Sequence, residues 1–222
     1  MENHKVSIVI PYYNRWDLVH QLLYDIFKTC HDDVGEVLCV NDGSTEQDGC
    51  SFWGKGNLIP FTSIRIAKNM GFIAASNLGM SQANGDIKIL ISSDVRIYRP
   101  FIKDVISILD DNPKTVVGNM LRNYDTGWNK FGDQLFPYIE GWFIAVTAEA
   151  WDDIGRFDTR FMPNDYEDVD FSTSATSKGY SLVSLKNDGI VHIGAQTIGY
   201  NEQRMALTRE NRDKFGEKWL KK

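Results

Sequence analysis

The chain has 222 residues, 42% of them hydrophobic and 24% charged, and a formal net charge of −6. This ordinary globular balance excludes intrinsic disorder, and the acidity gives no broad electrostatic reason to bind nucleic acid. The length provides for one sizeable core, and no apolar run approaches the ~18 residues of a membrane helix.

Val6–Ile10 is a short β-branched run stopped by Pro11 and predicts a buried strand. The N-terminus enters this pattern directly, without the layout of a signal peptide. Residues 14–30 carry Leu18, Leu22, Leu23, Ile26 and Phe27 at helical spacing, with Asn14 as the expected N-cap. Val37–Val40 predicts a second buried strand, stopped by Asn41-Asp42-Gly43-Ser44. Residues 45–60 are polar and glycine-rich and read as a loop. A third strand is expected over 63–67, a small-residue helix over 73–83, and a fourth strand over 87–91. A helix over 100–109 and a strand over 115–118 follow. This alternation predicts a mostly parallel sheet covered on both faces.

Beyond residue 120 the pattern becomes irregular. Residues 122–140 hold Gly, Asp, Asn and aromatic residues without a period. Helices are expected over 147–155 and 168–178, a β pair from 181–185 with 189–192, and a charged helix over 201–220. Cys30, Cys39 and Cys50 are odd in number and form no CxxC, so they read as reduced thiols rather than a disulfide frame or a zinc site. The basic residues of the last helix read as a solvated face, with at most peripheral membrane contact.

Asp42 ends the second strand, and Ser92-Ser93-Asp94 ends the fourth. In an open α/β sheet the ligand crevice lies outside the carboxyl ends of the strands. Two carboxylates at that edge suit a bound cation or the sugar and base of a nucleotide. Asp-Gly-Ser is also ordinary turn chemistry. Glu167, Asp168 and Asp170 open a helix, where the dipole favours acids. Three of them, interleaved with apolar residues, exceed what capping needs, and one facing the crevice would serve as a general base. His192 closes a short strand and becomes a metal-ligand candidate if Asp94 lies close to it.

These residues carry a resemblance along nearly the whole chain. VSIVIPYYNR, VNDGST, KNMGFIAASNLGMSQANGDIKILISSDV, GRFDTRFMPNDYEDVDFSTSATSKGY, IVHIGAQTIG and NRDKFGEKWL follow one another in the order of a family-2 glycosyltransferase. The resemblance implies a single GT-A domain over 1–222. Its nucleotide-binding half would span about 1–120, its acceptor and catalytic half about 121–200, and its C-terminal helix 201–222. It implies inverting transfer of a sugar from a nucleoside diphosphate sugar, UDP- or dTDP-linked, to an acceptor hydroxyl.

Carried over by position, Pro11, Tyr13 and Asp42 would hold base and ribose. Asn69, Gly71 and Asn77 would shape the nucleotide pocket. Ser93 and Asp94 would meet the diphosphate, and Asp94 with His192 would bind Mn²⁺ or Mg²⁺. Asp168 would be the general base, Glu167 its supporting neighbour, and Gly141 and Trp142 would meet the acceptor. Ser92, Ser174 and Ala148 depart from the family's pattern, where acids or arginines are frequent. The implied acceptor is a glycan or lipid-linked glycan, with a modified nucleobase or a protein left open, and no stable nucleic-acid binding is expected. The aromatic residues Trp128, Phe131, Phe136, Tyr138 and Trp142 have two open readings, an acceptor platform or core packing. The chain would act in the cytoplasm as a stand-alone enzyme. The alternatives are a degenerate nucleotide-sugar binder and a metal-dependent nucleotidyltransferase or nucleotide-sugar hydrolase.

Overall fold

The computed structural model describes residues 5–46, 49, 59–194, 199 and 201–220. Most of the predicted loop 45–60, including Cys50, lies outside the described residues.

The central strand is β1 (Val6–Tyr12), in which every residue is buried. It pairs in parallel with β2 (Glu36–Asn41) on one side and with β4 (Ile87–Ile91) on the other. The sheet continues outward through β3 (Phe61–Arg65) at one edge. On the other side come β11 (Phe143–Thr147), β6 (Thr115–Gly118) and β12 (Ser181–Ser184), giving seven strands in the order β12-β6-β11-β4-β1-β2-β3. Only β11 runs against its neighbours.

The period of two sends alternate residues to opposite faces. Ile8, Ile10, Cys39, Ile89 and Ile91 face α1 (Trp16–Cys30) and α3 (Ile102–Asp111). Val9, Val40 and Leu90 face α2 (Phe72–Gln82), α4 (Ala148–Ile154) and α5 (Glu167–Ser177). The last helix, α6 (Glu202–Trp219), packs on this second layer through Phe215, which is fully buried. Short strands occupy the gaps. β7 (Leu121–Arg122) pairs with β10 (Tyr138–Ile139), and β8 (Lys130–Phe131) with β9 (Gln134–Leu135).

Two sequence expectations need correction, and a segment the sequence reading left unassigned proves to be a strand. The segment 143–147 is a strand that passes directly into α4, with the Thr147 side chain accepting from the Ala150 N–H at the junction. Phe143 to Val146 is apolar without a break, and its strand state comes from pairing to β4 and β6, which no local pattern displays. The two late strands do not pair with each other. β12 extends the main sheet, and β13 (Ile190–His192) pairs antiparallel with β5 (Val95–Ile97), a strand the sequence reading left unassigned. Asn14 is not the N-cap of α1. It is left-handed, with φ 53°, and its side-chain oxygen accepts from the N–H groups of Thr45 and Glu46. It therefore ties the loop after β1 to the loop after β2 instead of opening the helix.

Candidate active site

A cleft of about 880 Å³ opens where the carboxyl ends of β1, β2 and β4 meet the turn that precedes α5. Of the residues proposed from sequence, Pro11, Tyr13, Asp42, Asn69, Gly71, Ser93, Asp94, Gly141, Trp142, Glu167, Asp168 and His192 all line it. Asn77 does not line it. Its side-chain amide donates to the Phe157 carbonyl and accepts from the Phe157 N–H, so it pins α2 to the loop after α4.

At the sheet end, Asp42 follows β2 and accepts from the Met70 and Gly71 N–H groups at 2.8 and 2.7 Å. Burial raises its pKa against these two donors. Gly71 has φ +92°, and a Cβ there would lie 2.3 Å from Pro163 Cβ. The loop carrying Pro163 thus closes directly over the start of α2, an approach that only glycine permits.

The pairing of β13 with β5 sets His192 opposite Val95. His192 Nε2 consequently lies 3.2 Å from Asp94 Oδ1. β5 itself is held to α1 by Asp25, whose carboxylate accepts from Arg96 Nε and the Ile97 N–H at 2.7 and 3.1 Å. One carboxylate beside one imidazole suits a divalent cation whose remaining positions are filled by oxygens of another molecule. Among the described residues, no group of three or more His, Cys, Asp or Glu forms a metal cage.

A chain of contacts runs from His192 into the opposite half of the cleft. The Trp142 ring stacks on the imidazole at 5.0 Å and 14°. Its indole Nε1 donates to Glu140 Oε2 at 2.6 Å, and Glu140 Oε1 accepts from Arg122 Nε at 2.6 Å. Sequence reasoning singled out neither Glu140 nor Arg122.

The acid pair sits at the first turn of α5. Asp168 accepts from the Gly141 N–H at 3.0 Å and from the Val169 N–H at 2.8 Å. Burial pushes its pKa up to about 7 despite these donors. Glu167 is 7% exposed, and its Oε2 has no partner. Burial and the adjoining carboxylates raise its pKa well above the ordinary range. Near neutral pH the two adjoining carboxyls are therefore held to one proton between them, and the pair is poised to exchange it. Asp170, grouped with them in sequence, has another task. It accepts from Lys218 Nζ and Trp219 Nε1, which dock α6 onto α5.

The turn before α5 is strained, with Asp165 and Tyr166 at φ 69° and 74°. Helix α6 holds it. Asn211, fully buried, donates from Nδ2 to the carbonyls of Phe161, Asn164 and Asp165 at 2.9 Å each. Arg204 and Thr208 hold the Asp165 carboxylate at 2.8 and 2.7 Å. Phe131 and Phe136 pack with Phe215 in the core, whereas Trp128, Tyr138 and Trp142 line the cleft.

The model of glycosyl transferase family 2 matches residues 7–172, and the chain belongs to that family. It is 29% identical over 155 residues to the undecaprenyl-phosphate 4-deoxy-4-formamido-L-arabinose transferase of Proteus mirabilis (strain HI4320), a match that covers 68% of this chain and 47% of that protein. The chain thus spans about half the length of the curated relatives it matches. Among solved structures, the mannosyltransferase PcManGT of Pyrobaculum calidifontis, in complex with GDP-Man and Mn²⁺, superposes with a TM-score of 0.66 at 19% identity over 82% of this chain and 54% of that one. GalNAc-T7 with UDP, GalNAc and Mn²⁺ gives a TM-score of 0.70 at 13% identity over 83% and 43%. The fold is GT-A. No helix among the described residues is long and apolar enough to cross a membrane.

Proposed function

We propose that the chain is an inverting glycosyltransferase that moves a sugar from a nucleoside diphosphate sugar, with UDP or dTDP favoured, to a hydroxyl of a glycan or lipid-linked glycan. The observation that carries this reading is the division of one cleft into two chemically distinct ends: Asp94 with His192 at the strand ends, and Glu167 with Asp168 at the turn before α5. The GDP-Man, UDP and Mn²⁺ of the superposed structures are in keeping with it.

In this reading Pro11, Tyr13, Asp42, Asn69 and Gly71 form the donor's nucleoside subsite. Asp94, with Ser93 beside it, and His192 would hold Mn²⁺ or Mg²⁺, which when bound neutralises charge developing on the diphosphate. The imidazole is oriented by its stack on Trp142, itself fixed by Glu140. Asp168 takes the proton of the attacking acceptor hydroxyl. Its pKa near 7 suits this task, because a base works best when it titrates near the working pH. The proton shared with Glu167 spares the site a second buried charge. A base on the side opposite the leaving diphosphate gives in-line attack and inversion at the anomeric carbon.

The test is thermal stabilisation of the chain by nucleotides and nucleotide sugars, with and without Mn²⁺. A ligand that binds only the folded state raises the melting temperature by mass action. A metal-dependent rise with UDP or dTDP sugars is the expected outcome. Indifference to every nucleotide in the presence of metal would overturn the reading in favour of a degenerate binding fold.

A further inference from the structure

Three consecutive residues, Glu140, Gly141 and Trp142, join β10 to β11 and touch both ends of the cleft. Glu140 is placed by the small β7–β10 sheet, where Tyr138 pairs with Arg122 and the Glu140 N–H donates to the Met120 carbonyl at 3.0 Å. Both oxygens of its carboxylate are engaged: Oε1 accepts from Arg122 Nε and Oε2 from Trp142 Nε1, at 2.6 Å each. The Gly141 N–H donates to Asp168 Oδ2 at 3.0 Å. A Cβ on Gly141 would lie 3.3 Å from both Asp168 Cβ and Glu167 Oε1, so the backbone passes close against the acid pair. Trp142 reaches the other end. Its ring stacks on His192 at 5.0 Å, and its carbonyl accepts from the Ser92 N–H at 2.9 Å, two residues before Asp94.

We propose that Glu140, anchored by Arg122, is a positioning residue for both ends of the cleft at once: through Trp142 it holds the His192 imidazole in place for a cation, and through Gly141 it holds the Asp168 carboxylate. The inference rests on the glycosyltransferase reading for what the two ends do. Hydrogen bonds to an ionised group are the strong ones, and both bonds to this carboxylate are short. The Arg122 and Glu140 side chains are only 28% and 22% exposed, so water screens their pairing weakly. An indole whose N–H is fixed on a carboxylate has one ring orientation left, and the stacked imidazole takes its plane from it.

Partners beyond the ligands themselves orient a metal-binding histidine, and losing one that bonds the ring directly costs about 10–100-fold in metal affinity. Glu140 acts one step further out, through a ring stack, so a smaller loss is expected. Because the same carboxylate anchors the whole turn, removing it should loosen both ends. Breaking the Trp142 link alone should loosen only the His192 end.

The experiment is NMR on the full chain with Mn²⁺ alone as the probe. Broadening of the His192 ring signals, identified by their loss in His192→Gln, reads cation binding. Hydrogen exchange of the Gly141 amide reads the contact with Asp168. In Glu140→Ala the Mn²⁺ concentration that half-broadens His192 should rise at least about 5-fold, and Gly141 exchange should quicken at least about 10-fold. Trp142→Phe keeps a stacking ring and removes the indole N–H. It should raise the Mn²⁺ requirement at least about 3-fold and leave Gly141 exchange within about 2-fold of the parent. A Glu140→Ala chain that melts lower yet changes only one readout, or neither, would reduce Glu140 to a staple of its hairpin and overturn the proposal. So would a Trp142→Phe chain that takes up Mn²⁺ as the parent does, a result that stands even where Glu140→Ala does not fold. A parent chain whose His192 signals ignore Mn²⁺ would strike the cation site of the glycosyltransferase reading itself, and this inference with it.

Discussion

Replacing Asp168 by Asn should have two opposite consequences, and their pH dependence tests the reasoning. The carboxyl moves from an ordinary 3.8 to about 7 because it is buried. A displacement of about three pH units corresponds to about 4 kcal/mol of penalty on the ionised form. Solvent reaching Asp168 from the cleft screens part of that, leaving about 2 kcal/mol. Below about pH 4 the folded and unfolded chains both carry the protonated acid, and the penalty vanishes. Between about pH 4 and 7 the unfolded chain releases its proton while the folded chain retains it, so native stability falls as pH rises. Above about pH 7 the full penalty is present. Asparagine cannot ionise and escapes it. Asparagine also satisfies only one of the two N–H donors from Gly141 and Val169, a loss of about 1 kcal/mol that does not vary with pH. The gap in melting temperature between variant and parent should therefore move in the variant's favour by several degrees, about 3–6 °C, between pH 5 and pH 8.5 in metal-free buffer. Over the same range the parent's transfer rate should climb through about pH 7, and the variant's should be lower by ~10²–10⁴. Differential scanning fluorimetry and initial-rate assays read the two effects. A stability gap that stays constant with pH would show that Asp168 is not strained by ionisation, and full activity in the variant would remove it as the base.

Asp94→Asn should abolish the part of donor binding that depends on Mn²⁺ while leaving the fold intact; calorimetric titration with UDP in the presence of metal would refute this by returning the parent's affinity. Asn211→Ala deprives the carbonyls of Phe161, Asn164 and Asp165 of this donor and should cost about 2–4 kcal/mol in urea unfolding. A loss below about 1 kcal/mol would mean that the turn before α5 holds itself. Gly71→Ala places a Cβ against Pro163 at φ +92° and should destabilise by at least about 2 kcal/mol while weakening nucleotide binding. Unchanged unfolding and unchanged binding would contradict the close approach.

What the sequence disclosed and what it concealed divide along a physical line. Asp42 and Asp94 were legible because a buried strand that stops on a carboxylate leaves that group at the sheet edge whatever the rest of the chain does. Glu167 and Asp168 were legible because three acids in one helical turn exceed capping needs, although Asp170 proved to serve α6 instead. The pairing of His192 with Asp94 could only be stated as a condition, since the two are joined by an antiparallel contact across 98 residues. The same holds for β11, whose apolar run is a strand because of its neighbours, and for Asn77, whose amide serves a loop 80 residues away.

The sharpest case is α6. Its sequence is strongly charged and reads as a solvated face, yet Arg204, Thr208, Asn211 and Lys218 all turn inward, to Asp165, the carbonyls before α5, and Asp170. Two left-handed non-glycine residues in succession persist only where the surroundings over-determine them. Those surroundings are supplied from 39 to 50 residues further along the chain. The helix therefore belongs to the acid end of the cleft as a structural support, although its own pattern carries no sign of it. Weakening it should disturb Glu167 and Asp168 while leaving Asp94 and His192, which rest on β5 and α1, in place.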